Sequence, residues 1–343
     1  MSEMLITGGA GFIGANAAVY FATRGWRVAV LDSLVRPGSK ENLEWIQGQV
    51  PVRFIQADIR DMAVVENIVR ELKPAVVLHL AAQVAVTRAI EEPAEDFAVN
   101  ACGTVNLLEA LRRFSSDTLV IFASTNKVYG DMHQQQVQLV DSKYILSFFA
   151  DGVDELQPTD FCSPYGCSKG TADRYISEYS RTYGLKTVIF RQSCIYGPRQ
   201  FGCNDQGWVA WFIIAAILGR PITIFGDGRQ SRDILWVDDL ILAYEAAIDN
   251  REQSVGKIFN IGGGKKNIIS LLELLERLQR LSGKTITYGW DEWRTADQYA
   301  YCSNLAKADL FLGWQPKIGV DEGIERLYQW VSDNIHLHRE SGR

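Results

Sequence analysis

The strand-like run Met4–Thr7 ends in Thr7-Gly8-Gly9-Ala10-Gly11-Phe12-Ile13-Gly14, and this turn constrains the fold more than any other stretch of the 343-residue chain. The glycines at 8, 11 and 14 are spaced Gly-x-x-Gly-x-x-Gly, between a short apolar run and a helical one. In a strand–turn–helix unit each has a separate job. Gly8 permits the tight turn, Gly11 lets a pyrophosphate approach the backbone, and Gly14 lets the helix pack against the strand. The helix opening at Phe12 and Ile13 then offers free N–H groups to phosphate oxygens.

The rest of the first half repeats that alternation. Met4–Thr7, Arg27–Asp32, Val52–Asp58, Val76–His79 and Thr118–Ala123 read as buried strands, with helices over Ile13–Arg24, Met62–Leu72 and Ala94–Arg113. Strands alternating with helices imply βαβ units and a parallel sheet. After a long polar connection, Asp131–Asp160, the pattern predicts a helix at Tyr165–Tyr183 and a strand at Lys186–Arg191. Connections of that length are often functional, and a lid is one reading. Beyond residue 192 a strand (Ile222–Phe225) and helices (Val237–Asp249, Ser270–Leu281, Asp321–Asn334) are separated by glycine-marked turns. The expectation is an α/β protein. Residues 1–192 form a doubly wound parallel sheet of the Rossmann type, and part of 230–262 returns to it. Residues 193–335 form a smaller, mixed α/β substrate-binding region.

Composition excludes several classes. The chain is 47% hydrophobic with a net charge of -6, which suits a globular protein and not a nucleic-acid binder with a basic stripe. Its longest apolar stretch, Val209 to Leu218, is too short to span a bilayer, and the N-terminus lacks a signal-like run. No Cys-x-x-Cys pair occurs among the six cysteines, so no metal site and a cytoplasmic, reduced setting are expected.

Asp32 ends the second strand, where a carboxylate suits the ribose 2′-hydroxyl of NAD and repels the 2′-phosphate of NADP. Arg36 lies close by and leaves NADP as the alternative. Asp58 ends the third strand, followed by Ile59; it either faces the adenine amine or caps a helix. Tyr165 and Lys169 stand four apart, on one face of a helix started by Ser163-Pro164. A free tyrosine has a pKa of about 10. A fixed ammonium and a cationic nicotinamide favour the phenolate, which makes Tyr165 a workable general base. Thr125, with Ser124 as competitor, follows the fifth strand, where ligands of open parallel sheets bind.

Together these residues resemble the extended short-chain dehydrogenase/reductase family, which modifies nucleotide sugars. The resemblance spans about residues 4–332 and adds His79-Leu80-Ala81-Ala82, Asn100, Tyr196-Gly197-Pro198-Arg199, Arg232-Asp233 with Asp238, and Asn260-Ile261-Gly262-Gly263. Within the family, the stretches Ser124–Asp131, Phe161–Gly170 and Arg199–Val209 are most similar to the CDP-paratose (CDP-tyvelose) 2-epimerases. The 4,6-dehydratases carry an Asp-Glu pair where this chain has Asn126-Lys127, so their machinery for losing water is absent. Cys194 stands where many 4-epimerases have a diphosphate-contacting asparagine.

The resemblance implies a retained NAD, contacted by Gly8, Gly11, Phe12, Ile13, Asp32, Asp58, Ile59, Leu80, Ala81, Ala82, Asn100, Tyr165 and Lys169. It implies catalysis by Thr125, Tyr165 and Lys169 on a nucleotide-diphosphate sugar, CDP-linked on the closer match. Asn126, Arg199, Arg232 and Arg294 would bind that substrate. Apart from the resemblance, Trp208, Trp211 and Phe212 recur at helical spacing after Gly207, which reads as a core stripe for Trp211 and Phe212, with the nucleotide pocket as the alternative for Trp208. The expected reaction inverts C2 through a transient 2-keto sugar. A UDP- or GDP-hexose 4-epimerase and a nucleotide-sugar reductase are the alternatives within enzymes, and a non-catalytic NAD-binding protein is the alternative outside them. The family pairs through helices near Ala94–Arg113 and Tyr165–Tyr183, so a homodimer or tetramer is expected.

Overall fold

The computed structural model describes residues 2–132 and 135–339. Its strands are β1 (Glu3–Thr7), β2 (Arg27–Asp32), β3 (Arg53–Gln56), β4 (Val76–His79), β5 (Leu119–Thr125), β6 (Val137–Val140), β7 (Lys143–Leu146), β8 (Lys186–Gln192), β9 (Cys194–Tyr196), β10 (Ile222–Phe225), β11 (Ser231–Trp236), β12 (Ile258–Ile261), β13 (Ile268–Ser270), β14 (Tyr288–Asp291) and β15 (Ala300–Tyr301). Helices in the first half are α1 (Phe12–Thr23), α2 (Ser39–Gln49), α3 (Met62–Leu72), α4 (Val86–Glu91), α5 (Pro93–Phe97) and α6 (Gly103–Phe114). Then come α7 (Pro164–Tyr183), α8 (Trp208–Leu218), α9 (Val237–Asp249), α10 (Arg251–Ser254), α11 (Leu271–Ser282), α12 (Ala306–Leu312) and α13 (Val320–Asp333).

Seven strands make one parallel sheet in the order β12-β8-β5-β4-β1-β2-β3. Its strands are apolar on both faces because both faces are covered. Met4 and Ile6 enter the core under α1 and α9, while Leu5 between them enters the core under α3, α6 and α7. The chain winds from β1 through α1 to β2 on one side, and returns through α3 to β4 on the other. The crevice above the carboxyl ends of β1 and β4 is therefore the switch point where ligands of such sheets bind. A second core joins α8, α11 and α13 to β9 and β11.

Three local findings depart from the sequence pattern. The helix expected over Ala94–Arg113 is α5 and α6 joined through a π-helical turn, Ala98–Cys102. Gly103 follows because a Cβ there would lie 2.6 Å from the Ile59 side chain. Second, α2 stands where no helix was anticipated; it starts from Gly38, whose φ of 84° few other residues adopt. Third, the 131–160 connection carries the β6–β7 hairpin, and residues 133–134 within it lie outside the described residues. Tyr144 docks it on the second core. Its N–H bonds the Arg229 carbonyl at 2.9 Å, its hydroxyl bonds Asp227 at 2.6 Å, and its carbonyl accepts from Ser231 at 2.5 Å.

His79, at the end of β4, is fully buried between the hydroxyls of Thr7 at 2.7 Å and Thr104 at 2.9 Å. Burial pushes its pKa down to about 3 from 6.5, with the Lys169 charge adding to the effect. Below about pH 6.5 the unfolded chain binds a proton that the folded chain refuses, so stability falls as pH drops towards 3. The expected loss from this one group is ~2 kcal/mol by about pH 5. Urea unfolding of the wild type and of His79→Asn checks it. The gap between them should shrink from about pH 7 to about pH 5, and an unchanged gap would assign the acid sensitivity elsewhere.

Candidate active site

The glycine turn has the shape its spacing predicts. Gly8 adopts φ 68°, and a Cβ on it would sit 2.7 Å from the Ala81 N. A Cβ on Gly14 would lie 2.4 Å from the Gly8 carbonyl, so only glycine allows α1 this close to β1. Gly11 caps α1 with no side-chain hydrogen bond, and no acidic residue occupies the first turn. The opening N–H groups at Phe12 and Ile13 thus face the crevice with a positive partial charge. Opposite, Leu80 and Ala81 are pinned to β1: Leu80 N bonds the Thr7 carbonyl at 3.0 Å and Ala81 N bonds the Thr7 hydroxyl at 3.3 Å. This sequence of bare helix end, glycine cradle and fixed 80–82 strand extension fits a dinucleotide.

Asp32 closes the adenosine side. Its carboxylate accepts from Ala10 N at 3.0 Å and Leu34 N at 2.8 Å, and burial raises its pKa against those bonds. Arg36 donates to Gln206 at 2.5 Å, and its charge acts to lower the Asp32 pKa. Asp58 is bound by the backbone and guanidinium of Arg60, the shortest contact being 2.6 Å, which lowers its pKa. The cap of α3 is Asp61, which accepts from Val64 N at 3.1 Å, so the capping alternative for Asp58 falls away. Ile59 is a core residue behind the crevice.

Asn100 is 1% exposed, and its side chain is consumed within the protein. Its oxygen accepts from Gln83 N at 2.9 Å. Its amide nitrogen donates to the Gln83 carbonyl, Asp96 and Ser168 within 3.1 Å. Asn100 therefore ties the loop at Gln83 to α7. The same network holds Asp96, which bonds Gln83 at 2.9 Å and pairs closely with Ser168.

Tyr165 lies in the first turn of α7. Ser163 caps that helix by accepting from Gly166 N at 3.2 Å, at a φ of 83° that is rare for a residue with a side chain. The Tyr165 phenol lies close enough to the Thr125 hydroxyl for the threonine to lower its pKa. Ser124 points the other way and donates to buried Asp173 at 2.8 Å, so Thr125 is the hydroxyl that reaches the tyrosine. Lys169, on the same face of α7, rests its ammonium on the Ala123 carbonyl at 2.7 Å and over the Phe122 ring. Burial pushes Tyr165 up to about 12, helped by Asp96 and opposed by Thr125 and Arg36. Burial also pulls Lys169 down to about 7, against Asp173 and Asp96. In the chain alone, burial outweighs the phenolate-favouring effect expected of the lysine. A cation entering the crevice would favour the ionised phenol.

The substrate side forms around one carboxylate. Asp297 Oδ1 accepts from Arg232 at 2.6 Å and pairs with Lys127 at 3.5 Å. Arg294 stacks on Phe225 at 3.9 Å, donates to the Asn204 carbonyl at 2.8 Å and lies 3.6 Å from Asp205. Asn126 bonds Gln298 at 3.3 Å, which in turn bonds the Gly130 carbonyl at 2.7 Å. Arg199 is not brought to this cluster; its guanidinium lies between Trp45 at 4.5 Å and Trp330 at 5.5 Å. Trp208 packs against Phe212 beside the second core. The sequence pattern did not single out Asp297 or Gln298 as site residues. Their proximity to Arg294 along the chain was the one available signal.

Residues 4–262 match the model of the NAD dependent epimerase/dehydratase family. The chain is 40% identical to the CDP-paratose 2-epimerase of Salmonella typhi, over 96% of this chain and 99% of that one. It superposes on the UDP-glucose 4-epimerase of Thermotoga maritima solved with UDP-glucose, with a TM-score of 0.84 and 31% identity over 97% of this chain and 99% of the other. The Thermus thermophilus UDP-glucose 4-epimerase in complex with NAD gives 0.82 at 33% identity, over 96% and 99%. With a crevice that fits NAD, and a tyrosine, lysine and threonine gathered at its mouth, this chain is an NAD-dependent enzyme of the nucleotide-sugar epimerase/dehydratase family, within the extended short-chain dehydrogenases/reductases.

Proposed function

We propose that the enzyme inverts C2 of CDP-paratose to give CDP-tyvelose. The observation that carries this reading is the full-length likeness to a CDP-paratose 2-epimerase. It is supported by an amide and an ammonium, Asn126 and Lys127, in the turn after Thr125. Neither can play the acid and base that dehydration requires at those positions.

In this reading Tyr165 accepts the proton of the sugar 2-hydroxyl, and Thr125, beside the phenol, steadies the same oxygen. The hydride acceptor and donor for C2 would be supplied by bound NAD. Lys169 supplies positive charge beside the tyrosine and holds the ribose next to the crevice. Arg232 and Arg294 grip the diphosphate, in keeping with the planar fork of a guanidinium. Asn126 contacts the sugar. The 2-keto sugar must present its other face before hydride returns, so the pocket grips the nucleotide and leaves the hexose room to turn.

Proton NMR of the purified enzyme with CDP-paratose in heavy water, without added cofactor, tests this. Inversion at C2 without deuterium uptake is the expected result, because hydride then never exchanges with solvent. No change at H1 and H2 would sink the C2 reading. The next substrates are UDP-hexoses, favoured by the likeness to a structure solved with UDP-glucose, with change then sought at H4.

A further inference from the structure

Lys127 belongs to two parts of the site at once. Its main chain is fixed in the catalytic turn: the N–H bonds Thr125 Oγ1 at 3.2 Å. Its carbonyl backs onto the start of α7, where a Cβ on Gly166 would be 3.4 Å away. Its side chain leaves that turn for the cation cluster. There Nζ donates to the Ala296 carbonyl at 3.2 Å and lies 3.5 Å from Asp297, whose same oxygen takes Arg232 at 2.6 Å. The Arg232 contact is tight and the Lys127 contact loose, so the ammonium is the member of the trio free to shift. Nearby Arg294 has a buried Nε without a partner. Two cations thus meet on Asp297, which is 22% exposed, and Arg294, three residues before it in the chain, pairs with Asp205, which is 49% exposed. Cationic charge held in a poorly hydrated pocket calls for an anion.

The geometry of a nucleotide sugar says which anion and where. The diphosphate is esterified at C1. C2 is bonded to C1, whereas C4 lies across the ring. An enzyme that presents C2 to its tyrosine must therefore hold the β-phosphate beside that tyrosine, and one that presents C4 holds it a ring-width further off. Lys127 is the cation whose backbone is built into the Thr125 turn.

We propose that Lys127 binds the β-phosphate of the substrate and, by holding it beside Thr125 and Tyr165, determines that C2 is the carbon presented for oxidation. This rests on the C2 reading above. A compact ammonium on a flexible stem suits the task, since the sugar must turn while its phosphate stays held.

The test uses NAD-loaded full-length enzyme and the variants Lys127→Met and Lys127→Arg, with calorimetric affinities for CDP, CMP, UDP and UMP. Loss of a charged phosphate contact should weaken the diphosphates by about tenfold or more in Lys127→Met, with the monophosphates nearly unchanged. Lys127→Arg should keep the preference for diphosphate. At saturating CDP-paratose, Lys127→Met should also lose kcat, because a misplaced C2 cannot react.

An unchanged diphosphate preference, or equal weakening of both nucleotide classes, overturns the assignment and leaves Lys127 as a tether to Asp297. A raised KM with wild-type kcat overturns the part concerning carbon choice. If the wild type leaves CDP-paratose unaltered, the C2 reading fails instead, and the nucleotide affinities report on Lys127 independently of it. Bound NAD, measured in every variant, confirms that the fold is intact.

Discussion

Tyr165→Phe should lower kcat by about a thousandfold, in the middle of the range for a lost general acid–base group, while leaving the folded protein and its bound NAD in place. The expectation follows from what the phenol does and does not support. Its hydroxyl lies near enough to Thr125 to feel it electrostatically, while its ring is packed in the first turn of α7 with 8% exposure. Phenylalanine keeps that packing and removes the only proton-transfer atom. Thr125→Val should cost less, because it removes a partner of the reacting oxygen and not the base itself. Turnover of CDP-paratose by each variant, with NAD content and thermal midpoint beside it, separates chemistry from binding. A Tyr165→Phe enzyme within tenfold of wild type would assign the proton to another group.

Arg191→Met should be the most destabilising single change near the site, costing about 3–5 kcal/mol. Arg191 is 1% exposed. It places Nε and Nη2 on the two oxygens of Asp173 at 3.0 Å each, and Nη1 on the Tyr129 hydroxyl at 3.1 Å. The same carboxylate accepts from Ser124 at 2.8 Å, and the Tyr129 hydroxyl donates to Asn260 Oδ1 at 2.8 Å. Methionine fills the stem but leaves a buried carboxylate without its counter-charge. The paired change Arg191→Met with Asp173→Leu removes both charges and should recover a large part of the loss. Urea unfolding of the two singles and the double variant measures this coupling. Additive losses would mean that the two groups act separately. The end of β5 should loosen in Arg191→Met, so kcat is expected to fall with stability even though Arg191 touches no reacting atom.

The parallel strands were legible because burial on both faces leaves little but apolar residues. Arg27–Asp32 and Val76–His79 have the bounds that their composition predicts. The glycine turn and the Tyr165–Lys169 pair were legible for a related reason: each is local, and its function depends on spacing along one element. Where the chemistry comes from distant segments, the sequence offers less. Nothing in the spacing around Asp58 announces that Arg60, two residues on, folds back onto it. Arg199 looks like a phosphate ligand by its neighbours, but α2 and α13 bring Trp45 and Trp330 to either side of it. Ser231–Trp236 carries Arg232 and Asp233 through a fully buried strand, and so shows neither alternation nor an apolar run. The meeting of Lys127, Arg232 and Asp297 spans about half the chain, and no spacing rule reaches that far.

The seven-stranded sheet also sets a timetable for biosynthesis. Its edge strand, β12, ends at Ile261, and the helix covering α1 from outside, α9, spans Val237–Asp249. Leu240, Tyr244 and Phe259 belong to the same core as Met4 and Ile6. A nascent chain emerging through residue 192 would therefore carry the whole cofactor cradle, yet expose the part of one apolar face that α9 covers and leave β8 as a bare edge. The first part of the enzyme to be translated becomes complete only after some 70 further residues have followed it out of the ribosome, at several seconds' delay. During that interval the nascent chain is a natural client for chaperones.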